Sequence, residues 1–97
     1  MNAEKMLEVI DRYRKTLKDV STGSGPFDTR PTSAEALAHV RGMLDTIEEF
    51  VLEGNQVAWD KANRWLGFIQ GVFWLLDEYS LNQMRDHNRT EGSKNVD

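Results

Sequence analysis

The chain has 97 residues, 39% hydrophobic and 29% charged, with a net charge of −4 and no cysteine. That length fits one domain, and the composition suits a folded chain better than a disordered one. The acidic balance weighs against a general nucleic-acid binder, which needs clustered Lys and Arg, and the lack of cysteine excludes disulfides and thiolate metal sites.

The first predicted element is an amphipathic helix from about Ala3 to Val20, because Ala3, Met6, Ile10, Tyr13, Leu17 and Val20 recur at three- and four-residue steps. The stretch from Ser21 to Pro31, with two Gly and two Pro, breaks that pattern and reads as a connecting loop. Thr32-Ser33-Ala34-Glu35 has the form of a capping box. A second helix follows to about Glu53, carrying Leu37, Val40, Leu44, Ile47 and Val51 on one side. Gly54-Asn55 supplies residue types that end helices.

The third helix is expected from Gln56 or Val57 to Glu78. Its predicted main face is Ala58, Ala62, Trp65, Ile69, Val72 and Leu76. Gly67, Gly71 and Trp74 fall roughly opposite, near Arg64, with Phe68 and Leu75 on one flank. Residues Trp65 to Leu76 are apolar nearly all round, with Gln70 the one strongly polar member. Such a helix is either buried on several sides or meets another chain. At about 12 residues the run is too short to cross a bilayer, which takes roughly 20. Ser80-Leu81-Asn82-Gln83 is a second capping box, opening a short helix that fades near Asn88. The polar residues 89–97 are expected to fray. Short connections favour antiparallel neighbours. The predicted fold is therefore all-α: a three-helix bundle with helices two and three an antiparallel hairpin, plus a short C-terminal helix, over residues 1–88.

No catalytic constellation is visible, and the expectation is a non-enzymatic chain without a cofactor. His39 and His87 lack metal-type spacing to further ligands, so each reads as a surface or capping residue. Gln70 either fixes register at an interface or simply reaches solvent. Between Ser33 and Asp60, six acids (Glu35, Asp45, Glu48, Glu49, Glu53, Asp60) face only Arg41, the usual mark of a solvated helix face. The Gly/Ser loop lacks the Gly-Lys-Ser/Thr ending of a P-loop. It nonetheless defines a competing reading, a small-ligand (phosphate or nucleotide) binder using Tyr13 for stacking and Arg30 and Arg64 for charge.

The string from Arg64 to Trp74, then Tyr79-Ser80, then Asp86-His87-Asn88-Arg89, resembles a group of small proteins encoded by tailed bacteriophages and prophages. The resemblance covers the last third to half of the chain. It implies an accessory phage protein in a bacterial cytoplasm and transfers no catalytic or ligand-binding residue. No basic-then-apolar leader opens the chain, in keeping with that location. Arg64 and Asp86, His87, Asn88 and Arg89 are not explained by core packing. They read either as a structural clasp between the third helix and the terminal segment or as a recognition surface. Surplus apolar surface on the third helix points to a protein partner, with self-association, through Arg64, Gly67, Phe68, Gly71, Trp74 and Leu75. Trp is enriched among interface anchors, and small residues four apart permit close helix approach.

Overall fold

The computed structural model describes residues 1–89, which form four helices and no strand: α1 (Ala3–Thr16), α2 (Ser33–Glu53), α3 (Gln56–Leu75) and α4 (Leu81–Asn88). The fold is the expected helical bundle with a short C-terminal helix. The tail expected to fray lies, except for Arg89, outside the described residues.

Each helix begins where a side chain can accept an orphan amide. Asn2 Oδ1 accepts from the Lys5 N–H at 2.8 Å, and Asn55 Oδ1 from the Ala58 N–H at 2.8 Å. Thr32 with Glu35, and Ser80 with Gln83, close both capping boxes. Gly54 ends α2 at a φ of 79°, a left-handed conformation that costs a glycine little. With Asn55 capping the next helix, α2 and α3 are joined by two residues and pack closely as a hairpin.

Two helix ends differ from expectation. α1 stops at Thr16, although Leu17 is buried and Val20 half-buried. The apolar spacing runs on into a turn closed by the Val20 N–H on the Leu17 carbonyl at 2.9 Å. α3 stops at Leu75, three residues before Glu78, because Asp77 adopts a φ of 60°. The Glu78 N–H then reaches the Phe73 carbonyl (2.8 Å) and the Asp77 N–H the Trp74 carbonyl (3.1 Å). That pair of bonds is a Schellman motif with aspartate in the seat that glycine usually fills.

The core is Met6, Val9, Ile10, Tyr13 and Leu17 of the first segment, Val40, Leu44, Ile47 and Val51 of α2, Ala62, Leu66, Ile69 and Phe73 of α3, and Met84 of α4. Each fully buried aliphatic or Phe side chain contributes about 1.5–3 kcal/mol. α1 lies against α2 and α4. Arg14 fastens α1 to α2, reaching Asp45 at 2.8 Å and Glu48 at 2.7 Å. The guanidinium holds the Asp45 carboxyl below its ordinary range. Arg41 adds a third contact, to Asp45 at 3.2 Å. Two of the six acids between Ser33 and Asp60 are thus bound within the fold rather than solvated as a bare face.

The inward face of α3 is rotated from the predicted one. Leu66 and Phe73 are buried where Trp65 and Val72 were expected, and Trp65, Val72 and Leu76 are half-buried. Trp65 packs edge-on against Phe50 of α2 at 5.2 Å between ring centres, at the core margin rather than inside it.

Candidate functional site

Because Ala58, Ala62, Leu66, Ile69 and Phe73 point inward, the 3.6-residue period places Val57, Arg64 and Gly71 on the outward line of α3. Phe68 and Leu75 flank that line on one side, Gly67 and Trp74 on the other. All six residues singled out as an interface are exposed, with Phe68 and Trp74 each at 56% and Leu75 at 76%. A Cβ built on Gly67 or Gly71 would meet nothing within 4 Å. A helical glycine costs roughly 1 kcal/mol relative to alanine, and among the described residues no neighbouring segment approaches these two. From Trp65 to Leu76 this surface carries no charge, while Arg64 borders it on one side and Asp77 and Glu78 on the other.

Beside Phe68 lies an open cleft of about 300 Å³, lined by Pro26, Phe27 and Pro31 of the loop, Ala36 and His39 of α2, and Phe68 and Val72 of α3. The loop is fastened to α2 here. The Gly23 N–H donates to the Ala38 carbonyl at 3.0 Å, and the Gly25 N–H to His39 Nδ1 at 3.1 Å. Phe27, 80% exposed, stands edge-on to the His39 ring. The loop is thus a docked strap rather than a free connector, and His39 is one of its anchors.

A second polar constellation lies inside the bundle. Gln70 Nε2 donates to the Tyr13 hydroxyl at 2.9 Å, and that hydroxyl lies 2.9 Å from His87 Nδ1. Gln70 and Asn88 exchange two amide bonds, at 2.7 and 3.0 Å. The phenol accepts from Gln70 and has its proton free for His87, which fits an imidazole protonated on Nε2. Burial is the main reason the His87 imidazole sits below its ordinary pKa, with Arg12 adding to it. Burial also pushes the Tyr13 phenol up to about 12. The rings of Tyr13, Phe73, Tyr79 and His87 pack edge to face or tilted, the closest pair, Tyr79 and His87, at 4.6 Å. Thr16 completes the cluster by hydrogen-bonding Tyr79.

This node corrects four expectations. His87 is a buried residue, 7% exposed, because its ring fills the aromatic cluster. Gln70 turns toward α1 and α4 instead of solvent. Tyr13 is fully buried and cannot stack on a ligand, because its ring is core and its hydroxyl is spent on Gln70 and His87. The clasp between α3 and the terminal segment runs through Gln70, His87 and Asn88, whereas Arg64 faces outward. Asp86 pairs locally with Arg89 at 3.1 Å. Sequence reasoning missed the node because its members lie 57 and 74 residues apart. The usable signal was a tyrosine on a core face, whose hydroxyl demands a partner.

Arg30 is exposed in the loop, and the Gly23 and Gly25 amides of that loop are engaged by α2. Among the described residues no group of three or more His, Cys, Asp or Glu is placed to hold a metal ion, and no helix is long and apolar enough to cross a membrane. No buried side-chain nitrogen or oxygen among them lacks a hydrogen-bond partner. The node is therefore satisfied internally. No protein-family model, curated protein or solved structure matches the chain.

Proposed function

We propose that this chain is a non-catalytic interaction protein that binds another protein through the outward face of α3. The observation that carries the reading is Phe68, Trp74 and Leu75, each more than half exposed, around two glycines that no other segment among the described residues covers. Large exposed apolar groups in one contiguous patch mark interaction sites, and an aromatic anchor within such a patch is the usual energetic centre. The string from Arg64 to Trp74, with Asp86 to Arg89, supports an accessory role in a tailed phage or prophage. The task would be to bind a host or phage protein in the bacterial cytoplasm during host takeover or counter-defence. Self-association through the same face belongs to this reading.

A photo-crosslinking residue placed at Leu75, with Trp74→Ala as the paired control, tests it in the bacterial host. The expected outcome is a protein adduct that Trp74→Ala reduces strongly while far-UV circular dichroism stays unchanged. An adduct pattern indifferent to Trp74 would remove the reading.

A further inference from the structure

We infer that the loop strap is a pH-sensitive latch: His39 holds the segment from Gly25 to Pro31 against α2 as a neutral imidazole and releases it on taking up a proton, which opens the cleft beside Phe68. The inference is independent of what binds the outward face of α3.

A backbone amide can only donate. The Gly25 N–H lies 3.1 Å from His39 Nδ1, so that nitrogen carries a free lone pair and the ring proton sits on Nε2. A second proton on the ring would turn Nδ1 into a donor, and two N–H groups would then face each other across the same gap. The bond cannot survive that change. The other tie between the strap and α2 differs in kind. The Gly23 N–H donates to the Ala38 carbonyl at 3.0 Å, an acceptor that does not titrate. Packing is close there, since a Cβ on Gly23 would come within 3.2 Å of the Ala38 Cβ. At the far end, Thr32 is fixed as the cap of α2, with its N–H on Glu35 Oε1 at 2.9 Å. Between these two fixed points, the Gly25–His39 bond is the only hydrogen bond from the strap to α2 among the described residues.

The groups around the ring favour release once it is charged. On α2, Glu35 stands one turn before His39, a spacing at which a carboxylate supports a cation. The charged residues of the loop, Asp28 and Arg30, are exposed and do not line the cleft. α3 turns Phe68 and Val72 toward the cleft, with Arg64 one turn from Phe68. Among the described residues no carboxylate pairs with His39, so the docked arrangement gives a charged ring no counter-ion. Release frees Pro26, Phe27 and Pro31, which form the loop wall of the cleft. Phe27 stands edge-on to the His39 ring at 6.2 Å between centres and is already mostly exposed. Little apolar burial therefore opposes its departure. Its departure uncovers Ala36, Phe68 and Val72, the apolar side of the cleft.

Solution NMR on the full chain, labelled with nitrogen-15, tests the latch. Near neutral pH the His39 ring nitrogens should report a proton on Nε2 and none on Nδ1. Solvent exchange of the Gly25 amide, taken relative to its unfolded rate, should rise about tenfold or more between about pH 8 and about pH 5. That rise should follow the titration of the His39 nitrogens and not that of His87. The Gly23 amide, bonded to a carbonyl, should keep its protection. His39→Asn places an amide oxygen where Nδ1 stands and has no proton to gain, so it should hold Gly25 protected across the whole range. His39→Leu offers no acceptor and should leave Gly25 unprotected at every pH. A Gly25 amide indifferent to pH, a response that persists in His39→Asn or follows His87, or a proton found on His39 Nδ1 near neutral pH overturns the inference. So does a loss of protection that the Leu44 amide of α2 shares, since that is general unfolding and not release of the strap.

Discussion

Two sides of α3 differ little in composition and greatly in circumstance. The inward side, Ala58, Ala62, Leu66, Ile69 and Phe73, is covered by α1, α2 and α4. At its edge, Gln70 finds Tyr13 and Asn88. The outward side, Arg64, Phe68, Gly71, Trp74 and Leu75, holds aromatic and aliphatic groups of similar size that the described residues leave more than half exposed. Hydrophobicity therefore does not separate inside from outside on this helix; the satisfaction of neighbouring polar groups does. The interior accepts a glutamine because three elements hydrogen-bond around it, while the exterior is apolar without a described element to cover it.

The contrast is sharpest between adjacent residues. Phe73→Ala should destabilise the fold by about 3–5 kcal/mol, by lost burial and a cavity against Tyr13. For a domain this small that approaches its total stability. Trp74→Ala, one position along, should change stability by less than about 0.5 kcal/mol. Urea titrations followed by circular dichroism compare the two, and equal effects would erase the distinction between the faces. Next in size is Gln70→Leu, which has nearly the same volume but leaves Asn88 and the Tyr13 hydroxyl each short of a partner. A cost of about 1–3 kcal/mol is expected, and a neutral outcome would show the node to be incidental.

The node also gives the inward side a pH signature. His87 is held neutral in the fold, with its pKa below that of the unfolded chain. Its contribution is complete above the ordinary imidazole range, near 6.5. It is lost as pH falls through the lower, folded-state value, because the unfolded chain takes up the proton first. Melting temperature should fall across that window, and His87→Gln should flatten the fall. Tyr13 acts at the opposite limit. Its stability contribution is present below pH 10 and lost as pH rises toward about 12. The smallest expected effect is at the end of α3. Asp77→Gly relieves a left-handed conformation that aspartate tolerates less well than glycine, and should raise stability by about 0.5–1 kcal/mol.

Much of this was legible in the sequence where the signal is local. The capping boxes at Thr32 and Ser80, the Gly54-Asn55 junction and the core face of α2 all follow from contacts within four residues. The phase of α3 was not legible. When apolar residues surround a helix, the period survives a one-residue rotation, so Trp65 and Val72 were as good as Leu66 and Phe73 until α1 and α2 chose between them. The length of α1 was overread for a related reason, since Leu17 keeps its place in the core after the helix has ended. That Phe68, Trp74 and Leu75 would stand outside the core was legible, because an apolar excess on a helix is visible in a one-dimensional string. The roles of Gln70 and His87 could not, because a hydrogen bond between distant segments leaves no mark on spacing.

The Tyr13–His87 hydrogen bond ties α1 to α4 across 74 residues of chain. Its consequence is an order of assembly. The two-residue link between α2 and α3 closes at small entropic cost, docking of α1 must close the long strap, and α4 has no complete seat until Tyr13 is in place. The terminal helix is thus last on and first off, and its amides should exchange with deuterium well before those of the hairpin.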